Sequence, residues 1–262
     1  MVIKSGKMET EKGKAGIYIY CLINNGIETS FGNIGIKDNE VYTVPFKDIA
    51  AVVHKHSSQT SNLKPQTSEE AIVELAISHQ HIIDMATEKF GTVIPFNLNT
   101  IVEGKEEKVV EWLKRDYIKI KNTLKGIEDK AEFEIQVSMA RDVLINRIKE
   151  SSEEFKRLKE LTMNPGKAYV LGQRILREEL EKFVDSFCKS LYAQISKCTD
   201  KIRINKIEGV LMQEKQLVMN LSCLIYEDKV ADLKMVLKRI SDLEGFDAHL
   251  SGPWQPYNFI LL

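Results

Sequence analysis

AEFEIQVSM, residues 131–139, alternates Phe133, Ile135 and Val137 against Glu132, Glu134 and Gln136. A period of two, with one dry set and one wet set, predicts a strand that has a core face and a polar face. The segments after it give an element order. A charged helix runs through residue 161 to a break at Asn164-Pro165-Gly166. The clearest helix of the chain comes next, with Leu176, Leu180, Phe183, Phe187, Leu191 and Ile195 on one stripe. KIRINKI (201–207) and KQLVMNLSCLIY (215–226) read as strands separated by Glu208-Gly209. Asp228 stands where a helix cap belongs, before Val230, Leu233, Val236, Leu237, Ile240 and Leu243, and Gly245 ends that helix. FDAHLSG (246–252) is a last strand. The order β-α-α-β-β-α-β, with its two helices taken as one interrupted and extended first crossover, is a split-βαβ, ferredoxin-like plan.

The half before residue 128 has its own logic. AGIYIYCLI (15–23) is rich in aromatic and β-branched residues, and Asn24-Asn25-Gly26 ends it with a turn signal. VYTVPF (41–46) and DIAAVVHKH (48–56) read as two more strands. Beyond a polar break, HSSQTSNLKPQTSEE, Ser68 is a candidate N-cap and Glu69-Glu70 suit the positive end of a helix dipole. Ile72, Leu75, Ala76, His79, Ile82, Ile83 and Ala86 then recur at helical spacing up to Gly91. TVIPFNLNTIV (92–102) is extended, and Val109, Trp112, Leu113, Tyr117, Ile120 and Leu124 mark a second helix that Gly126 ends. The expectation is an α+β protein of two domains. Its boundaries are a disordered leader at 1–14, an N-terminal α+β domain at 15–127, a ferredoxin-like domain at 128–249, and an aromatic tail at 250–262 that packs on the protein.

Composition narrows the function classes. The 37 Lys and Arg against 38 Asp and Glu leave a formal net charge of -1, with no basic excess to draw nucleic acid or an anionic membrane. No uncharged stretch approaches the ~18 residues of a membrane span, and the first residues lack the apolar run of a signal peptide. Cys21, Cys188, Cys198 and Cys223 show no CxxC pairing, which suits reduced, buried thiols. The expectation is a soluble intracellular protein.

No catalytic motif stands out. His54 and His56 share a strand face and could share a metal, but no third ligand lies nearby, and zinc needs three or four. His79 and His81, two apart on a helix, point in different directions, so one packs and the other is exposed. NPGKAY (164–169) lacks the second glycine and the Ser or Thr of a phosphate loop. SSEEFKRLKE (151–160) mixes both signs at helical spacing, as exposed ion pairs do. Neither a catalytic residue nor a cofactor nor a metal is assigned.

The end of the chain, LSGPWQPYNFILL (250–262), is aromatic and proline-restricted. Pro253 and Pro256 each remove a backbone donor, so the segment belongs on an edge or over a face rather than in a central strand. Trp254, Tyr257 and Phe259 are expected to be buried there as its anchors.

The same stretch, SGPWQPYNF, resembles the C-terminal signature of the gas vesicle protein GvpF/GvpL family, Gly-Pro-Trp-x-Pro-Tyr-x-Phe. AGIYIYCLI looks like that family's opening strand and DIAAVVHKH is similar to its Ala-Ala-Val-Val strand. HQHIIDMATEKFGTVIPFNLNTIV is similar to the family's helix leading into a Leu-Pro-x-Arg-Phe-Gly-Thr segment, although Asn97-Leu98-Asn99-Thr100 stands in place of Arg-Phe-Gly-Thr. The resemblance spans residues 15–260. It implies two α+β domains and a minor, non-enzymatic protein of gas vesicles in the cytoplasm. Such a protein assists assembly and contacts the small hydrophobic shell protein and other accessory proteins. Gly252, Pro253, Trp254, Pro256, Tyr257 and Phe259 are the residues that match the motif, with a structural or an interaction role. The competing expectation is a small-molecule enzyme or a ligand-binding regulatory module on a ferredoxin-like domain.

Overall fold

The computed structural model describes residues 15–56, 69–160, 165–207 and 215–260. The expected leader at 1–14, the Ser68 cap, Asn164, the Glu208-Gly209 turn and Leu261-Leu262 lie outside the described residues. The chain is a mixture of helix and sheet in two compact units, one made of Met1–Asp129 with Gln255–Leu262 and the other of Lys130–Trp254.

The first unit is built around β1 (Gly16–Ile23), whose eight residues are all buried. Around it lie β2 (Ser30–Gly32), β3 (Val41–Phe46), β4 (Ile49–His56), β5 (Val93–Pro95) and β6 (Ile101–Glu103), in the order β2-β3-β4-β1-β5 with β6 also on β1. Total burial of β1 follows from cover on both faces, which explains why its sequence is a continuous apolar run. Tyr18, Tyr20, Cys21 and Ile23 pack with Ile82, Ile83 and Ala86 of α1 (Glu69–Phe90). The opposite face meets α2 (Glu106–Ile127): Tyr42 bonds Glu106 at 2.8 Å, and the Phe46 and Tyr117 rings lie 5.9 Å apart. Two neighbours, Tyr20 and Cys21, share the α1 face because the register with β4 shifts between Ile19 and Cys21. One extra residue there turns both side chains to the same side.

The extended reading of 92–102 resolves into β5 and β6, both antiparallel to β1, with a bend at 96–100 between them. Phe96 N–H bonds the Tyr20 carbonyl, Ile19 N–H bonds the Thr100 carbonyl, and Asn99 holds φ +64°.

In the second unit β7 (Lys130–Ala140) leads into α3 (Arg141–Ser151), α4 (Glu153–Glu160) and α5 (Pro165–Ile195). Then follow β8 (Lys201–Ile204), β9 (Lys215–Tyr226), α6 (Val230–Ser241) and β10 (Phe246–Trp254). The sheet order is β10-β7-β9-β8, with antiparallel neighbours throughout. Phe133, Ile135, Val137 and Met139 of β7 form one core with Leu144 and Ile148 of α3, Leu176 and Leu191 of α5, and Leu233 and Leu237 of α6. The helices therefore cover the apolar face that the alternation of 131–139 marks out.

Local expectations differ in places: Gly126 lies inside α2 rather than ending it, and the strand expected over 201–207 stops at Ile204. The charged helix is already broken at Ser152, whose ψ of 120° is extended, and no glycine or proline in the sequence signals it. Asp228 does not cap α6; it sits inside a short 3-10 turn, Glu227–Lys229, and the residue before α6 is Lys229.

Candidate functional site

The motif residues 252–259 fall into two parts. The first extends β10 along the edge of the second sheet. Pairing with β7 is regular from Phe246 to Ser251, shifts register, and resumes with Trp254 opposite Glu132. Gly252 and Pro253 occupy the irregularity, where a missing donor costs nothing. Gly252 holds φ +122°, and a Cβ there would lie 2.8 Å from the Glu132 carbonyl oxygen. Only glycine fits. Trp254 is 57% exposed, so the expectation of three buried rings fails at this one. An edge strand has a neighbour on one side only, and among the described residues the Trp254 indole reaches no more than the Ser251 hydroxyl at 3.5 Å.

The second part belongs to the first unit. Pro256 is buried, and Tyr257 and Phe259 are half-buried. Gln255 Nε2 donates to the Thr87 hydroxyl at 3.0 Å, and Thr87 in turn donates to the Ile83 carbonyl at 2.8 Å. The Tyr257 hydroxyl donates to Gln80 Oε1 at 3.1 Å, while Gln80 Nε2 donates to Asp84 at 2.8 Å. Gln80, Asp84 and Thr87 recur at helical spacing, so these residues lie along one face of α1. The Tyr257 ring packs against the core that holds Tyr18, Tyr20 and Cys21.

That core contains a polar cluster that the sequence reading did not assemble. The spacing sets His54 beside His56 on one strand face and turns His79 away from His81, and the structure instead joins His54 of β4 to His79 of α1 through β1. Both rings are buried, at 2% and 4% exposure, whereas His56 is half-buried and His81 exposed. The Tyr18 hydroxyl bonds His79 Nδ1 at 2.8 Å, and the Tyr20 hydroxyl bonds His54 Nδ1 at 2.8 Å. Stacking runs crosswise: Tyr18 lies on His54 with centroids 4.7 Å apart, and Tyr20 on His79 at 5.3 Å. His79 Nε2 faces the Phe96 carbonyl at 2.9 Å. A carbonyl only accepts, so the ring proton sits on Nε2 and Nδ1 accepts from Tyr18. The tyrosine oxygens also receive backbone donors, Asn99 N–H at 3.2 Å on Tyr18 and Ile36 N–H at 3.1 Å on Tyr20.

Burial governs the electrostatics here. It pushes His54 down to about 4, helped by the neighbouring His56 and His79. His79 is also lowered by burial, against the opposing pull of the Phe96 carbonyl. Tyr20 is raised to about 12 by burial, and Tyr18 and Tyr257 are raised by the same cause. Both imidazoles are therefore neutral at pH 7. Among the described residues no three His, Cys, Asp or Glu side chains gather as a metal site, the four thiols are free, and no helix is long and apolar enough to cross a membrane. Of the NPGK stretch, Pro165 opens α5, where proline lacks nothing that a helix needs.

Known proteins are similar to this chain in sequence and in architecture. Gas vesicle protein L1 of Halobacterium salinarum is 24% identical over 258 residues, covering 93% of this chain and 90% of its own length. Gas vesicle protein L of Haloferax mediterranei is 24% identical over 237 residues, covering 86% and 72%. The crystal structure of GvpF from Anabaena matches with a TM-score of 0.72 at 14% identity, covering 95% of this chain and 99% of that one. GvpF from Microcystis aeruginosa matches with a TM-score of 0.64 at 12% identity, covering 94% and 99%. At such identities the two structures speak for the fold alone. A family model matches from residue 16 to residue 260 and so takes in β1, the 96–100 bend and the tail together, and the chain belongs to the gas vesicle synthesis protein GvpL/GvpF family.

Proposed function

We propose that the protein is a minor, non-enzymatic component of gas vesicles that assists shell formation. It contacts the small hydrophobic shell protein and keeps it from aggregating before assembly, in the cytoplasm and alongside other accessory proteins. Family membership supports the gas-vesicle role. The contact reading rests on the division of the tail motif. Pro256, Tyr257 and Phe259 are occupied in docking, while Trp254, the largest ring of the motif, is left 57% exposed. Aromatic side chains, Trp and Tyr above all, dominate the energetics of protein contacts. Trp254 is thus the contact residue, and Gly252 and Pro253 are the backbone that presents it. The second unit is read as ferredoxin-like. Its strand order β10-β7-β9-β8 is the fourth, first, third and second strand of a split-βαβ plan, which supports that reading.

Co-purification with the shell protein tests the contact. Trp254→Ala is expected to lower recovery of the shell protein while leaving the melting temperature unchanged, whereas Tyr257→Ala lowers the melting temperature. Equal recovery with Trp254→Ala would remove Trp254 from the contact. Deleting the gene in a vesicle-forming cell is expected to abolish or deform vesicles, and normal vesicles would overturn the assembly role.

A further inference from the structure

The crossed cluster ties four separate pieces of the first unit together. Tyr18 and Tyr20 come from β1 and His54 from β4. His79 comes from α1 and reaches the 96–100 bend through the Phe96 carbonyl. Tyr257 of the tail packs on the same core. Each tyrosine hydroxyl receives one backbone N–H, and Tyr18 gives its own proton to His79 Nδ1 while His79 Nε2 donates to the Phe96 carbonyl, an arrangement in which each donor of the Tyr18–His79 pair has an acceptor. It has no room for another proton. If His79 Nδ1 is protonated, two donors face each other across 2.8 Å. The Tyr18 oxygen can still accept, but its hydrogen then loses its acceptor inside a core. Leaving a buried donor unpaired carries the full cost of its desolvation. His54 Nδ1 and the Tyr20 hydroxyl meet at the same 2.8 Å, and the same conflict arises there when that nitrogen is the acceptor.

The surroundings do not relieve a new charge. The titratable and charged groups around the two rings are Tyr18, Tyr20 and Cys21 of β1, His56 of β4, and Tyr257 of the tail. Asp84 of α1 lies beside Tyr257, and Lys37 of the short 3-10 turn Ile36–Asp38 acts on His56. Among the described residues no carboxylate bonds either imidazole. Lys37 and His56 add positive potential on the His54 side. A proton on one ring also repels a proton on the other, so the two sites titrate as a coupled pair.

We propose that this cluster is a proton-operated latch: a proton taken up by either imidazole frees the 96–100 bend and loosens the tail segment packed beside it. The latch is closed at neutral pH, where both rings are neutral. It weakens as the pH falls below about 6.5, the ordinary histidine value, because the released state then takes up protons that the closed state refuses. The second unit, which holds none of these groups, does not respond in that range.

Hydrogen exchange on the full chain at pH 7 and pH 5, corrected for intrinsic rates, is the test. The amides of Asn99 and Ile36, which bond the two hydroxyls, are expected to lose protection about ten-fold or more at pH 5 relative to the β7 and β9 amides. Equal loss in both sheets, or none at Asn99, overturns the latch. His54→Asn with His79→Asn keeps an acceptor oxygen at the Nδ1 position and cannot titrate, so it is expected to abolish the differential loss, and its persistence there overturns the proposal. The native chain gives a readout that does not depend on that variant folding. The ring protons of His54 and His79 are expected to titrate well below 6.5, and ordinary values at both rings overturn the latch directly.

Discussion

Gln255 Nε2 donates to the Thr87 hydroxyl at 3.0 Å across 168 residues of sequence. This bond and that of Tyr257 to Gln80 fasten the tail to α1. Gln255→Ala or Thr87→Ala is expected to cost about 0.5–1.5 kcal/mol, the net value of one such bond. In the double variant the losses are expected to be less than additive, which a double-mutant cycle of urea unfolding measures. Additive losses would mean that the contact carries no energy.

Gly252→Ala puts a Cβ 2.8 Å from a backbone oxygen at φ +122°. The expected loss is about 1–3 kcal/mol from strain alone, measured by the same unfolding curves. Because the Glu132 and Phe133 atoms involved lie on β7, hydrogen exchange should report the loss in the second unit. A variant as stable as the parent would show that this edge yields easily.

Asn99 sits at φ +64°, where the family pattern has glycine. Asn99→Gly is therefore expected to leave stability unchanged or to raise it slightly. Asn99→Ala, which meets the left-handed penalty, is expected to lose about 1–2 kcal/mol. Thermal melts of the two variants separate the outcomes, and equal melting temperatures would remove the backbone argument.

The four thiols should react with Ellman's reagent in a definite order. Cys21 and Cys223 are fully buried, and burial raises both, Cys223 to about 12. Cys188 is only half-buried, so although its thiol is also raised it is expected to react first. Mass mapping of the first-labelled peptide checks this, and early labelling of Cys21 would contradict the packing of β1.

How much of this was legible in the residues depended on the range of the cause. The alternation of 131–139 and the helical stripe from Leu176 to Ile195 are local patterns, and the structure holds a strand and a helix there. The break at Ser152 has no local cause in the sequence. The division of 92–102 into β5 and β6 depends on pairing with β1, which period alone does not encode. At the tail, two prolines announced an edge, but the exposure of Trp254 depends on what lies beside that edge. The Tyr–His cluster was illegible for the same reason. Each histidine has another two positions away that local spacing pairs it with, while its partners stand 34 and 61 residues off.

The grouping of Gln255–Leu262 with Met1–Asp129 has a consequence for synthesis. A ribosome delivers the whole of Lys130–Trp254 between those two parts. At about 5–20 residues per second that takes roughly 6–25 s. During this interval α1 is already made, but Gln80 and Thr87 lack Tyr257 and Gln255. The first unit is thus started first and finished last, and its closure reports that the second unit has been fully translated.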